Sequence, residues 1–293
     1  MDSLISIIIP TYNRSFDMLS KAIQSALTQT YEKIELIIVD DNHPDSDCRK
    51  EISTKIAAIA HDKLRYIQHD KNMGACRARN TGIKHARGEF LAFLDDDDEW
   101  DRRKLELQME KMRDPEVGLV YCSSRTIITG ENNVTAEKIR SYKISGYVFE
   151  ELLQKNFIGS TSFVLIRKKV IEECGGFNEE LPASQDYELW LRIALKYKVD
   201  FVDVPLVNYY IHSGERISTN TKNKIQSALK INQLYSGYFQ KYPKAYVNRL
   251  IRLTLRYFKV KQFSKGIRSY LEALKIAPGY CVLATVKKIS NRF

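Results

Sequence analysis

Glycine and proline are scarce, at 13 and 7 of 293 residues, which excludes a collagen-like or low-complexity chain. The five cysteines, Cys48, Cys76, Cys122, Cys174 and Cys281, are odd in number, widely spaced and without a CxxC pair. That pattern indicates neither a disulfide framework nor a cysteine zinc site, and it fits a reducing compartment. Long apolar runs are missing too. The first run stops at Pro10, too short for a signal peptide and without a basic leader, and no segment approaches the roughly 20 residues that cross a bilayer. The expected location is the cytoplasm. Acid is nearly absent from the end of the chain: from Thr221 to Phe293 there are 16 Lys and Arg against Glu272 alone, a charge of +15, while residues 1–220 carry −5.

The remaining composition, 44% apolar and 28% charged, is that of a globular protein long enough to bury a sizeable core. An acidic body with a basic tail suggests attraction to phosphate-bearing partners. An anionic membrane face, met peripherally through residues 216–293, is one such partner, and a solvated helical surface is the plainer alternative. No motif that reads bases accompanies the basic residues, so a nucleic-acid partner is not expected.

The first hundred residues alternate short apolar runs with helical patterns. Leu4–Ile9, Ile34–Val39, Leu64–Gln68 and Phe90–Leu94 read as strands, and Ser15–Thr28, Cys48–Ala60 and Ala75–Ala86 as helices. This rhythm predicts an α/β fold with a mostly parallel, doubly wound sheet. A helix at Arg102–Met112, strands at Val117–Cys122 and Ser162–Ile166, and a polar loop at residues 130–133 follow. Ser184–Tyr197 is expected to be an amphipathic helix capped by Ser184, and a strand pair at Phe201–Val204 and Val207–Ile211 comes next. Beyond Thr221 the pattern is helical, with segments at Lys222–Gln240, Tyr246–Val260 and Phe263–Ile276, the last ending before Pro278. That final pair reads as a helical hairpin rather than a repeat array, which needs several copies to bury its faces.

In open α/β sheets ligands gather outside the carboxyl ends of the strands. Here those ends read Pro10-Thr11-Tyr12-Asn13, Asp40-Asp41-Asn42 and Asp95-Asp96-Asp97-Asp98. Four consecutive aspartates repel one another, and a divalent cation would resolve the conflict. Oxygen ligands suit Mg²⁺ or Mn²⁺, which take one or two carboxylates and leave other positions to water and substrate phosphates. The alternative is an acidic turn ahead of a helix. Basic side chains at the start of the Ala75 helix, Arg77 and Arg79, add groups that can face phosphates, so that together these ends describe a nucleotide diphosphate site.

The segments SIIIPTYNR (Ser6–Arg14), IIVDDN (Ile37–Asn42), NMGACRARNTG (Asn72–Gly82) and GEFLAFLDDDDEW (Gly88–Trp100) resemble the successive motifs of glycosyltransferase family 2. The resemblance runs over the first 215 residues. It implies a GT-A fold at 1–215, a basic helical region at 216–293, and an inverting transferase that uses a sugar nucleotide and Mn²⁺ or Mg²⁺. Asp41 resembles the carboxylate at the nucleotide base, with Pro10, Thr11, Tyr12, Asn13 and Arg14 around base and ribose. Asp95 and Asp96 would lie near the ribose and donor sugar, Asp97 matches the metal-binding aspartate, and Arg79 would face the diphosphate. In Ser184-Gln185-Asp186-Tyr187-Glu188, Asp186 resembles the catalytic base, with Gln185 in place of the usual glutamate and Glu188 the nearest competitor. His212 resembles a histidine that closes over the diphosphate or completes the metal shell. Trp100 and Trp190 are core or pocket-wall aromatics.

The resemblance therefore implies transfer of a hexose or N-acetylhexosamine, from a UDP sugar above other donors, to a saccharide or lipid-linked saccharide. Capsule, O-antigen or exopolysaccharide synthesis is the natural setting. Two rivals stand beside it. A nucleotidyltransferase on a similar sheet would need a glycine-rich loop after the first strand, where this chain has Pro-Thr-Tyr-Asn-Arg. A catalytically dead scaffold protein is suggested by Gln185 alone.

Overall fold

The computed structural model describes residues 3–129, 134–211 and 220–290. The expected rhythm is present as β1 (Ile5–Thr11), α1 (Phe16–Leu27), β2 (Ile34–Asp40), α2 (Asp47–Ile59), β3 (Leu64–Gln68), α3 (Ala75–His85) and β4 (Phe90–Phe93). Every residue of β1, β2 and β4 is buried, as continuous apolar runs in a sheet covered on both faces require. The chain continues through β5 (Glu99–Trp100), α4 (Lys104–Lys111), β6 (Val117–Thr129), β7 (Val134–Arg140) and α5 (Phe149–Gln154). A 3₁₀ turn (Thr161–Phe163) then leads to β8 (Val164–Arg167), α6 (Lys168–Cys174), α7 (Gln185–Ala194) and β9 (Lys198–Ile211). Five helices close the described chain: α8 (Thr221–Leu234), α9 (Ser236–Phe239), α10 (Pro243–Lys259), α11 (Phe263–Ile276) and α12 (Pro278–Ser290).

Among the described residues the strands form one nine-stranded sheet in the order β3-β2-β1-β4-β8-β6-β9-β5, with β7 paired to β6. The sheet is mostly parallel: β1, β2, β3, β4, β6 and β9 share one direction, and β5, β7 and β8 run against it. Pro10 sits at the end of central β1 without cost. The β1–β4 register stops at Ile8↔Phe93, so no partner on that side asks Pro10 for an N–H. Gly82 explains the close seat of α3 on β1, because a Cβ there would lie 2.3 Å from Ile8 Cγ2.

Several boundaries differ from the sequence expectation. The strand pair expected between 201 and 211 is one strand, β9, with register shifts against β6 where Val202, Pro205 and Val207 face Cys122, Ser123 and Ser124. Pro205 lacks the N–H that a regular ladder needs, so the interruption is a bulge and not a turn. Ser184 adopts φ 59° and not the extended geometry of a capping residue, and its carbonyl, not its side chain, engages α7 by accepting the Glu188 N–H at 3.1 Å. Pro278 starts α12 instead of merely ending the hairpin, as proline at a first helical position can. The polar loop at 130–133 lies outside the described residues.

The chain divides into two compact units. The first comprises residues 1–148, 158–178 and 192–213, and the second 149–157, 179–191 and 214–293. In the first, Ile5, Ile7, Ile9, Leu36, Ile38, Phe90, Ala92, Leu165 and Val120 of the sheet pack with Leu19, Ile23, Ile52, Leu105 and Met109 of α1, α2 and α4. Asn80 of α3 accepts the Phe177 N–H (2.8 Å) and donates to the Phe177 carbonyl (2.9 Å), tying the turn after α6 to the helix. In the second, Val247, Leu250 and Ile251 of α10 pack with Ala273 of α11 and Cys281 of α12, and Phe149 of α5 lies among Tyr235, Tyr238 and Tyr242. No described helix is long and apolar enough to cross a membrane.

Candidate active site

The carboxyl ends of β1, β2 and β4 converge because these strands are neighbours in register, with Thr11 opposite Asp40. At the end of β2, Asp40 is fully buried and structural. It pairs with Arg49 Nε at 3.0 Å, accepts the Tyr66 hydroxyl, and accepts both the backbone and the side-chain N–H of Asn42 at 2.8 and 2.7 Å. Asn42 thus held accepts the Asn13 N–H at 2.7 Å. Asn13 turns the chain through φ 49°, a conformation asparagine tolerates.

Asp41 is buried and already well used. Its Oδ1 accepts from Met73 N and His69 Nδ1, both at 2.7 Å, and its Oδ2 from Gly74 N at 2.7 Å. A carboxylate only accepts, so the hydrogen bond assigns the proton to His69 Nδ1, leaving Nε2 for the Thr81 hydroxyl at 2.9 Å. Two acceptor sites on each oxygen leave one on Oδ2 for an N–H of a ligand. Pro10 and Thr11 are buried, and Tyr12 is 53% exposed at the mouth of this corner.

The aspartyl run after β4 is a turn, with Asp98 N–H donating to the Asp95 carbonyl at 3.0 Å. It resolves into two kinds of residue. Asp96 and Asp98 are buried, whereas Asp95 and Asp97 keep partial exposure. Asp95 meets Arg79 Nη2 at 2.6 Å and the hydroxyls of Ser160 and Thr161 at 3.1 Å each. Burial pushes its carboxyl up, but Arg79 and the two hydroxyls outweigh that and hold it below the ordinary aspartate value. Asp96 accepts from Thr11 Oγ1 at 2.8 Å and Arg14 Nε at 3.0 Å. Burial, opposed by Arg14 and reinforced by Asp97 and Asp95, raises it to about 6. Arg14 also donates to Asp97 at 3.1 Å. Asp98 is pushed far up by burial and by the neighbouring Asp95 and Asp97. Its Oδ2 accepts the Ser162 hydroxyl at 2.6 Å, and its Oδ1 has no partner among the described residues.

The turn rests on Trp100, whose indole N–H donates to the Ser162 carbonyl at 2.9 Å. Beneath Trp100, the fully buried Lys104 places Nζ 3.9 Å from the ring centroid and donates to Gln108 Oε1 at 2.8 Å. Trp100 and Trp190 are both buried, as core aromatics are.

The run therefore presents an Asp95-x-Asp97 pair, each carboxylate faced by one arginine. Crowded acids of this kind fit a divalent cation that takes one or two carboxylates and completes its shell with phosphate and water. No cluster of three or more metal-binding side chains is preformed among the described residues. His212 lies outside the described residues, so its placement is not part of this geometry. Asp186, second residue of α7, belongs to the second unit, and the aspartyl turn to the first.

The model of the family described as Glycosyl transferase family 2 matches residues 6–175. This chain belongs to glycosyl transferase family 2. A glycosyl transferase of Escherichia coli K12 named for colanic acid biosynthesis is 31% identical over 242 residues, 82% of this chain and 81% of that one. An Escherichia coli UDP-Glc:α-D-GlcNAc-diphosphoundecaprenol β-1,3-glucosyltransferase is 30% identical over 75% of this chain and 81% of its own length. A glycosyltransferase of Rickettsia conorii is 29% identical over 98% of this chain, which spans only 48% of that longer protein. The GT-A fold is shared with a Pyrobaculum calidifontis mannosyltransferase solved with GDP-Man and Mn²⁺ (TM-score 0.64, 18% identity, 98% of this chain and 80% of that one). It is shared also with Staphylococcus aureus TarS in complex with UDP-GlcNAc (TM-score 0.61, 17% identity, 93% and 91%). The protein is a glycosyltransferase.

The sequence did not single out Asp40, His69 or the Ser160-Thr161-Ser162 hydroxyls as supports of this candidate site. A triplet of hydroxyl residues directly before an apolar strand is the signal that could have drawn attention to the last of these.

Proposed function

We propose that the enzyme is an inverting, divalent-metal-dependent transferase that moves a hexose or N-acetylhexosamine from a UDP sugar to a hydroxyl of a lipid-linked saccharide. The process it serves is cell-surface polysaccharide synthesis at the cytoplasmic face of the membrane. The observation that carries this reading is the Asp95–Asp97 pair faced by Arg79 and Arg14 at the carboxyl ends of β1 and β4. The Escherichia coli relative named for a UDP-glucose donor and a diphosphoundecaprenol acceptor supports the choice of donor and acceptor class.

Asp41 accepts one N–H of the base on its free Oδ2 site, beside the exposed ring of Tyr12. Asp97, with His212, would hold the cation, which when bound offsets negative charge on the departing diphosphate. Arg79 stands by to move its guanidinium from Asp95 to a phosphate oxygen, and Arg14 keeps Asp96 and Asp97 oriented. Asp186 takes the proton from the acceptor hydroxyl as it attacks C1. Its rival Glu188 is buried, with Tyr235 Oη 3.3 Å from Oε1, which favours Asp186 as the base.

The membrane part of the reading draws on the second unit. Phe263, Ile267 and Leu271 of α11 and Val282, Leu283 and Val286 of α12 are exposed among lysines, the pattern of an interfacial helix pair.

A panel of sugar nucleotides incubated with Mn²⁺ or Mg²⁺ tests the donor through slow hydrolysis. Asp97→Asn should lower metal-dependent UDP binding, and Asp186→Asn should cut turnover by about 10²–10⁴ while UDP binding persists. Turnover unchanged in Asp186→Asn would remove that residue from its role.

A further inference from the structure

Helix α10 carries Arg249, Arg252 and Arg256 at spacings of three and four, which align them on one face. Lys224 of α8 and Lys288 of α12 stand beside them. Arg256 Nη1 donates to the Lys224 carbonyl at 3.2 Å, and Lys288 Nζ donates to the Asn248 carbonyl at 3.1 Å. Arg249 is satisfied: it donates to Tyr187 Oη at 2.8 Å, stacks over the Tyr187 ring at 5.6 Å and reaches Asn232. Arg252 is not. Among the described residues it makes no hydrogen bond and no ion pair, although Tyr187, Tyr280, Arg249 and Arg256 surround it.

None of the five cations pairs with a carboxylate among the described residues. The one acid of residues 221–293, Glu272, accepts the Tyr246 hydroxyl at 2.6 Å instead. Burial and mutual repulsion push Arg252 down to about 10, and burial with Arg252 pushes Lys288 down to about 7. Like charges gathered in a half-buried place without a counter-charge are costly, and a bound anion would relieve that cost. Arg252, Arg256, Lys224 and Lys288 all retain some exposure, so an anion from solvent or from a membrane surface can reach them. The hydroxyls of Tyr187 and Tyr280 add neutral polar groups beside the cations. Planar guanidinium forks match phosphate oxygens in pairs.

We propose that this face of α10, with Lys224 and Lys288, binds a phosphate or diphosphate group distinct from the donor's, the class of group that links a saccharide acceptor to its lipid. The assignment deepens the acceptor reading above and rests on it. Tyr187, which touches Arg249, follows the proposed base Asp186 directly in α7, so the helix that carries the proposed base also contributes to this face.

The test uses the full chain in EDTA, which removes metal-assisted binding at the donor site. Inorganic pyrophosphate and farnesyl diphosphate are titrated calorimetrically into wild type, Arg252→Gln and Lys288→Gln. The wild type should bind, and each variant should bind about tenfold or more weakly, the scale of one charge-assisted contact. Arg252→Gln should also unfold at a higher temperature than wild type without ligand, because it removes one of several repelling cations, so loss of binding will not be loss of fold. Equal binding of the two probes assigns the site to free phosphate groups in general. Tighter farnesyl diphosphate binding assigns it to a lipid headgroup. Wild-type binding of neither probe, or unaltered binding in both variants, overturns the proposal. Mn²⁺-dependent UDP binding on the same samples reports the donor reading separately.

Discussion

Replacing Lys104 by Met should stabilise the protein near neutral pH and lose that advantage in alkali. Lys104 is fully buried behind Trp100, and burial, only partly offset by Cys122, lowers its ammonium from 10.5 to about 8. The folded state therefore releases this proton before the unfolded chain does, and stability rises with pH between those two values. Near pH 7 almost the whole penalty stands, about 3 kcal/mol, and near pH 9.5 roughly 1 kcal/mol remains. Methionine removes the penalty at every pH while filling a similar volume. It also leaves Gln108 Oε1 without the Lys104 donor, a cost of about 1–3 kcal/mol that does not depend on pH. The difference between the two conditions cancels that constant, so the change in unfolding free energy on Lys104→Met should be about 2 kcal/mol more favourable near pH 7 than near pH 9.5. Urea unfolding followed by tryptophan fluorescence at both pH values measures it. An effect equal at the two pH values would show that Lys104 carries no buried charge, and the argument from desolvation would fall.

Asp41→Asn should destabilise the first unit by about 2–4 kcal/mol, because the amide NH₂ would face one of the N–H groups that Asp41 now accepts. Urea unfolding that matches wild type would reduce Asp41 to a pure ligand contact. For the membrane reading, the pair Ile267→Glu and Leu271→Glu on α11 should reduce sedimentation with phosphatidylglycerol vesicles severalfold, since it puts two negative charges on the exposed apolar stripe. Retention at the wild-type level would rule that stripe out as the contact.

Much of the first unit was legible because its signals are local. Continuous apolar runs in β1, β2 and β4 read as buried strands, and the polar residues that follow them read as strand ends where a ligand gathers. β9 was less legible. Pro205 looks like a break in one dimension, whereas in the sheet it is a bulge whose neighbours resume pairing with β6. β7, α5 and α6 are short elements without a strong period of their own, and they exist through the partners they pack against.

The site shows the same division. Residue types and order alone placed the carboxylates at the ends of β2 and β4 on one edge, since parallel neighbours must deliver their carboxyl ends together. They could not rank four identical aspartates. Burial of Asp96 and Asp98 and the partial exposure of Asp95 and Asp97 did that, through contacts with Arg14, Arg79 and Ser162 that lie from 16 to 83 positions away along the chain. The cations of α10 are alike in this respect. Their positive sign is written in the composition, but which of them lacks a partner depends on Tyr187, Asn232 and Asn248 reaching some and not Arg252. Pairing energies depend on distance and desolvation, and only the folded chain sets either.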